Sequence, residues 1–271
     1  MKEIRELLEF GFINIDKPEG PTSFSVGQFV KNKLGLRKTA HMGTLDPEVT
    51  GVLPIALNRA CKLNEVFMHR DKKYVGIMRM HENVDEKNLD KEIKSFIGKI
   101  IQLPPVRSRV KRQEREREIK SFEILEIDGR DVLFLADVQA GTYIRKLIHD
   151  LGEKTGGAHM LELRRIKAGV FSEPVIDMYE FERAVDAWKK GDESPLREII
   201  IPAEEMIKKV LPVILIEEDK VKDLLQGKPV HKGDIEVEDE RFAIFSGERF
   251  IGVYKKVEEG EIISRAEFVY N

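Results

Sequence analysis

The stretch His41-Met42-Gly43-Thr44-Leu45-Asp46-Pro47-Glu48-Val49-Thr50-Gly51-Val52-Leu53-Pro54-Ile55-Ala56 constrains the fold more than any other, because its glycines and prolines forbid a continuous helix. Pro47 pushes Asp46 out of the α region into an extended or turn conformation, while Gly43 and Gly51 let the backbone bend on either side. The run from Gly51 to Leu57 that follows reads as a buried strand. One carboxylate is thereby set on a stiff loop between apolar segments. An Asp-Pro pair also fits a helix start, with Asp46 as N-cap and Pro47 at the first helical position. The density of His41, glycines, prolines and threonines around one carboxylate exceeds what a cap requires and favours a site.

A chain of 271 residues accommodates a large domain plus a small module. The net charge of −3 denies it a uniformly basic surface, so nucleic-acid binding must come from local patches. A single cysteine, Cys61, excludes an internal disulfide framework and a multi-cysteine zinc site, and it reads as a packing thiol. The six histidines are scattered, and His149 and His159 show no metal-ligand spacing, so no metal is expected. The amino terminus has no apolar h-region and no apolar run is long enough to span a bilayer, so a soluble, cytoplasmic protein is expected. Charged residues make up 35% of the chain in balanced signs, and Gln is scarce, as in proteins from hot environments.

Gly11 to Asp16 is β-like and is stopped by Lys17-Pro18-Glu19-Gly20-Pro21, after which Thr22 or Ser23 caps a helix ending at Gly35. Lys17 is either a solvated loop charge or a cation directed at a phosphate or the site. Ala60 to His69 reads as a helix and Lys72 to Met80 as a strand; there Tyr74 is either a core ring or, flanked by lysines, a ring for stacking on an unstacked base. Leu89 to Ile97 forms a short amphipathic helix. Arg107 to Arg112, just past Pro104-Pro105, suits phosphates, whereas Arg115 to Glu118 reads as a solvated face. Phe122 to Ile127, a turn at Asp128-Gly129, and Val132 to Val138 predict a hairpin. Thr142 then caps a helix with Tyr143 and Arg145 in its first turn. Arginine is disfavoured there by the helix dipole, which implies a carboxylate or phosphate partner. His159 to Phe171 is extended, Tyr179 to Lys190 is helical with Trp188 as a packing residue, and Leu211-Pro212 is a plausible boundary. The last sixty or so residues, with short runs and tight turns, predict a β-rich appendage of antiparallel strands.

The Asp46 loop, Lys17-Pro18, the Tyr74 strand and Gly141-Thr142-Tyr143-Ile144-Arg145, in this order, make the chain resemble the TruB family of RNA pseudouridine synthases from about Gly11 to Phe171. Pro104-Pro105-Val106-Arg107-Ser108 and Gly157-Ala158-His159-Met160 are most similar to its archaeal, dyskerin-type branch, and the Leu224 to Val230 segment resembles a PUA RNA-binding domain. A shorter amino-terminal arm, a compact terminal module and Met42 in place of a small residue depart from that branch.

The resemblance implies an α+β fold: a mixed, mainly antiparallel-sheet catalytic domain over residues 1–210 and a small β-rich PUA-like domain over 211–271. It makes Asp46 the catalytic carboxylate, Arg145 its ionic partner and Tyr74 the ring on the target base; His41 would help open the RNA loop, Tyr143 and Leu163 would line the pocket, and Lys17 and Arg107 would serve substrate binding. No cofactor is implied, since the isomerisation takes nothing from outside. The implied substrate is tRNA or rRNA, and the implied partners are a box H/ACA guide RNA, Nop-type and Gar-type proteins and a kink-turn-binding protein. A stand-alone enzyme for the tRNA TΨC loop is the alternative within the class, and a non-catalytic RNA-binding scaffold is the alternative outside it.

Overall fold

In the computed structural model, which describes residues 2–104, 111–236 and 238–271, the Asp46 stretch is a loop entering a sheet strand. The first unit begins with α1 (Ile4–Glu9), β1 (Gly11–Lys17), α2 (Ser23–Leu34), β2 (Thr39–His41) and β3 (Thr50–Leu57). A 3₁₀ turn over Asn58–Leu63 leads to α3 (Asn64–Met68), β4 (Lys72–Met80), α4 (Glu86–Ser95), β5 (Gly98–Gln102), β6 (Arg115–Asp128) and β7 (Asp131–Val138). Next come α5 (Ile144–Thr155), β8 (Ala158–Ala168), β9 (Phe171–Ser172), α6 (Met178–Lys189) and α7 (Ser194–Ile199).

The sheet runs β1-β3-β8-β4-β7-β6-β5, with β2 on β3 and β9 on β8. Its pairs are antiparallel except for a short parallel contact of β3 with β8, at Thr50↔Arg164 and Gly51↔Arg165. This gives the expected mixed, mainly antiparallel α+β architecture. Alternate residues of β7 are buried from Val132 to Val138, and they join Met78 and Met80 of β4 and Leu147 and Leu151 of α5 in one apolar core. Such alternation marks a sheet with one face packed by helices, here α4 and α5.

Local chemistry sets the boundaries near the site. Thr22 caps α2 by accepting the Ser25 N–H at 3.1 Å, and Gly35, left-handed at φ 64°, stops it. Asp46 begins a turn in which the Val49 N–H donates to its carbonyl at 3.1 Å, with Pro47 at the second position; the helix-cap alternative is set aside.

The chain divides after Ile200, with Ile201–Asn271 as the second unit, ten residues before the expected boundary. A short strand β10 (Ile200–Pro202) straddles the division. Helix α8 (Ala203–Val210) goes with the second unit because Lys208 lies over the Phe245 ring, 4.9 Å from its centroid, and pairs with Glu248 at 3.1 Å. Then follow β11 (Val213–Leu215), α9 (Glu218–Leu225), β12 (Val230–His231), β13 (Arg241–Ser246), β14 (Arg249–Glu259) and β15 (Ile262–Val269), in the order β11-β13-β14-β15-β12. Its core joins Val221 and Leu224 to Phe242, Ile244, Ile251 and Tyr254. The strands are antiparallel as expected, save β11, which runs parallel to β13.

The segment before β1 is helical and buries Ile4, Leu7 and Leu8. The Ala60 to His69 helix is split between 3₁₀ and α geometry. Arg115 to Glu118 pairs with β5 from Gln102 to Lys99, and with Glu116 and Glu118 exposed it is also the solvated face expected. Among the described residues, no helix is long and apolar enough to cross a membrane.

Candidate active site

The Asp46 loop is fastened from beneath by side chains that spend their donors on its backbone. Lys17, at the end of β1 opposite Gly51, is fully buried; its Nζ donates to the carbonyls of Pro18 at 2.8 Å, Pro47 at 3.0 Å and Val49 at 2.9 Å. An ammonium has three donors, and all are used. Lys17, expected to bind substrate, is therefore closed to a phosphate and holds the loop. Burial pulls its pKa down, and Glu48, Asp46 and Glu19 act against that pull.

Ser23, at the first residue of α2, accepts the Leu45 N–H at 2.8 Å and donates to the Leu45 carbonyl at 3.0 Å. The Gly20 N–H donates to Pro47 at 2.9 Å, and the Met42 N–H to Pro54 at 2.9 Å. Arg165 of β8, which is 1% exposed, donates to Gly43 at 3.0 Å and Val52 at 2.8 Å. The loop is thus held at both legs and at its tip, and its carboxylate need not be ordered when substrate arrives.

Above this support Asp46 is half-exposed and paired with Arg145, whose second amino group lies 3.7 Å from Glu48. Arg145 occupies the second residue of α5, where the dipole disfavours a cation, and the expected anionic partner is Asp46. Thr142 does not cap that helix. Its hydroxyl donates back to the Gln139 carbonyl at 2.8 Å, and Tyr143 is the N-cap residue. Tyr143 is oriented by the buried Gln102 amide, which accepts its N–H at 3.0 Å and donates to its carbonyl at 3.2 Å.

Tyr74 and Leu163 come from neighbouring strands. Tyr74, half-buried on β4, lies opposite Arg165, and Leu163, buried on β8, lies opposite Gly76. Gly76 leaves no room for a side chain, since a Cβ there would meet the Glu162 carbonyl at 2.8 Å and the Phe134 ring at 2.8 Å. His41, at the end of β2, is half-buried with Nδ1 unpartnered; burial and Arg165 both push its pKa down. Arg107 lies outside the described residues.

Two groups near the loop carried no signal that the sequence reading used. Arg165 and Lys72 are buried cations that both face Gly43. Lys72 Nζ donates to the carbonyls of Met68, at 2.6 Å, and Arg70, and burial beside Arg165 pushes its pKa down to about 8. Strand alternation through Leu163-Arg164-Arg165 could have flagged the second arginine as inward-facing.

Away from the loop, Cys61 is buried with its thiol pushed up to about 11, as a packing cysteine should be. His149 does have ligand spacing, contrary to the sequence reading. With Asp150 and Glu153 it brings donor atoms within 4.8 Å on one turn of α5, although Lys146 already pairs with Asp150.

Comparison with known proteins gives two family matches: the TruB family pseudouridylate synthase N-terminal domain over residues 31–93, and the tRNA pseudouridylate synthase B C-terminal domain over residues 145–208. A probable tRNA pseudouridine synthase B of Methanopyrus kandleri is 49% identical over 229 residues, covering 83% of this chain and 68% of the relative. Another so named, from Methanothermobacter thermautotrophicus, is 42% identical over 245 residues, covering 89% and 75%. Among solved structures, a Cbf5-Nop10-Gar1 complex contains a chain of TM-score 0.90 and 37% identity, covering all of this chain and 87% of that one. An H/ACA ribonucleoprotein bound to a substrate RNA containing 2′-deoxyuridine contains one of TM-score 0.89 and 35% identity, covering 100% and 88%.

Proposed function

The chain belongs to the TruB family of pseudouridine synthases, and from that membership we propose that Asp46 drives the isomerisation of uridine in RNA within a box H/ACA guide-RNA particle. The observation that carries the catalytic part is the pairing of a half-exposed Asp46 with Arg145 on a loop held by buried groups. The reaction breaks the C1′–N1 bond, turns the uracil and rejoins it to the same sugar through C5, whose hydrogen leaves as a proton. Such chemistry needs a base out of its stack and an ionised group beside the sugar. Asp46 supplies that group, Arg145 orients it, Tyr74 stacks on the uracil, Leu163 and Tyr143 line the pocket, and His41 and Arg107 engage the RNA around it.

The guide-dependent role is favoured by the whole-chain likeness to proteins solved in Nop10, Gar1 and H/ACA complexes. On this reading the second unit is a PUA-like module for guide RNA, Nop-type and Gar-type proteins are partners, and a kink-turn-binding protein completes the particle. The names of the relatives favour tRNA as a substrate, which a stand-alone enzyme could also modify.

The test is tritium release from C5-tritiated tRNA and rRNA transcripts, with and without guide RNA and partner proteins, for wild type and Asp46→Asn. Release that needs guide RNA and vanishes in Asp46→Asn is expected. Release from protein and tRNA alone, undiminished by omitting the guide, would select the stand-alone reading, and undiminished release by Asp46→Asn would remove Asp46 from the chemistry.

A further inference from the structure

Arg164 and Arg165 are neighbours in sequence with opposite fates. Arg164 faces two carboxylates, donating to Asp16 at 2.9 Å and to Glu173 at 2.7 Å. Arg165 points the other way, is 1% exposed, and makes its described hydrogen bonds to main-chain carbonyls instead of a carboxylate. Burying a guanidinium this way is costly, and an aliphatic side chain would fill the same volume more cheaply. What arginine adds is a rigid planar fork whose donors reach two acceptors in fixed directions.

Those acceptors are the carbonyls of Gly43, three residues before Asp46, and Val52, six residues after it. The guanidinium therefore ties together the two legs of the loop. Its own strand carries it opposite Tyr74; burial pulls the guanidinium's pKa down and Tyr74 opposes that pull. Backbone contact reinforces the join: at Gly51 a Cβ would stand 2.2 Å from the Arg165 carbonyl oxygen, so only glycine allows β3 and β8 to approach there.

We propose that Arg165 is a positioning residue for the uridine isomerisation, its guanidinium locking the two legs of the Asp46 loop to each other and to the strand that presents Tyr74. The carboxylate and the ring are then held in one frame before RNA binds. The assignment rests on the reading that Asp46 and Tyr74 act on the target uridine.

The experiment compares full-length wild type, Arg165→Met, Arg165→Lys, Tyr74→Phe and the Arg165→Met/Tyr74→Phe double variant, in whichever condition, with or without guide particle, wild type releases tritium. Single-turnover rates are read beside RNA affinity by filter binding and thermal unfolding. Arg165→Met is expected to slow the single-turnover rate by about 10- to 100-fold, the scale of a misplaced reacting group. RNA affinity should stay within about twofold, because the lost interaction concerns the transition state and not uniform binding. Arg165→Lys, which keeps the charge and loses the fork, should fall between, and Tyr74→Phe should cost less in the Arg165→Met background than alone.

A folded Arg165→Met with the wild-type rate would overturn the proposal, as would equal losses of rate and RNA affinity. If Arg165→Met does not fold, Arg165→Lys decides by the same two readouts; if neither folds, Arg165 is a core residue alone and the proposal fails. Absence of release by wild type, or retained release by Asp46→Asn, would instead remove the catalytic reading on which the proposal stands.

Discussion

Replacing Lys72 by methionine should change how stability depends on pH, with a sign and size set by its burial. Lys72 is 6% exposed, faces Arg165 and Gly43, and has its pKa pushed down to about 8 from an ordinary 10.5, mainly by desolvation, then by Arg165, with Asp71 opposing. Between pH 8 and 10.5 the unfolded chain therefore holds a proton at this residue that the folded chain has released. Stability contributed by Lys72 rises with pH through that window and is lowest below pH 8. The gap corresponds to about 3 kcal/mol, an upper figure if the side chain relaxes toward solvent when charged. Urea denaturation of wild type and Lys72→Met, followed by circular dichroism from pH 7 to 10.5, isolates the contribution. The free-energy difference between the two proteins should move in favour of wild type by about 3 kcal/mol across that range. Parallel pH profiles would refute the reasoning and show that Lys72 reaches water when protonated.

Lys17→Met leaves the carbonyls of Pro18, Pro47 and Val49 without their shared donor, and relief of the buried ammonium offsets only part of that loss. A net destabilisation of about 2–4 kcal/mol is expected in chemical denaturation, together with slower tritium release at unchanged RNA affinity. Loss of RNA affinity with unchanged stability would instead restore Lys17 as a substrate contact. Gly51→Ala forces a Cβ to within 2.2 Å of the Arg165 carbonyl at φ 99°, and neither backbone can yield without breaking the β3–β8 contact. It should cost about 3 kcal/mol or more in the same assay, and a loss under about 1 kcal/mol would show that this contact is loose.

What was legible in the sequence was whatever local backbone chemistry decides. The Asp46 turn follows from Asp-Pro between glycines, the limits of α2 from Thr22 and Gly35, and the hairpin of β6 and β7 from alternation around Asp128-Gly129. The Asp46–Arg145 pair was legible because an arginine at a helix amino terminus contradicts the dipole and so demands a partner. Lys17 was not legible. Its burial depends on three carbonyls converging, and they converge because β1 pairs with β3 so that Lys17 meets Gly51, a relation between residues far apart in sequence. Thr142 misled for a similar reason. The helix start it was read to cap has no side-chain cap; Gln102, from the end of β5, instead fixes the backbone of the N-cap residue Tyr143 by bonding both its N–H and its carbonyl.

The buried lysine and the exposed arginine act on the Asp46 loop in opposite ways. A cation paired directly with Asp46 from below would compete with Arg145 and tend to quench the carboxylate. Lys17 instead bonds main-chain carbonyls and meets Asp46 only through the longer-range field, which in turn favours its own charged form. The support is thus rigid without being a counter-ion. The Arg145 pair is built the other way: both partners are about half exposed, at 53% and 50%, where water weakens the attraction and an ion pair contributes little to stability. On the proposed catalytic reading, a ribose or phosphate would displace it at small cost, while the backbone beneath, held by Lys17, Ser23 and Arg165, keeps Asp46 where it was. Stiffness in the loop and weakness in the ion pair are separate requirements, and the chain meets them with buried donors for the first and an exposed arginine for the second.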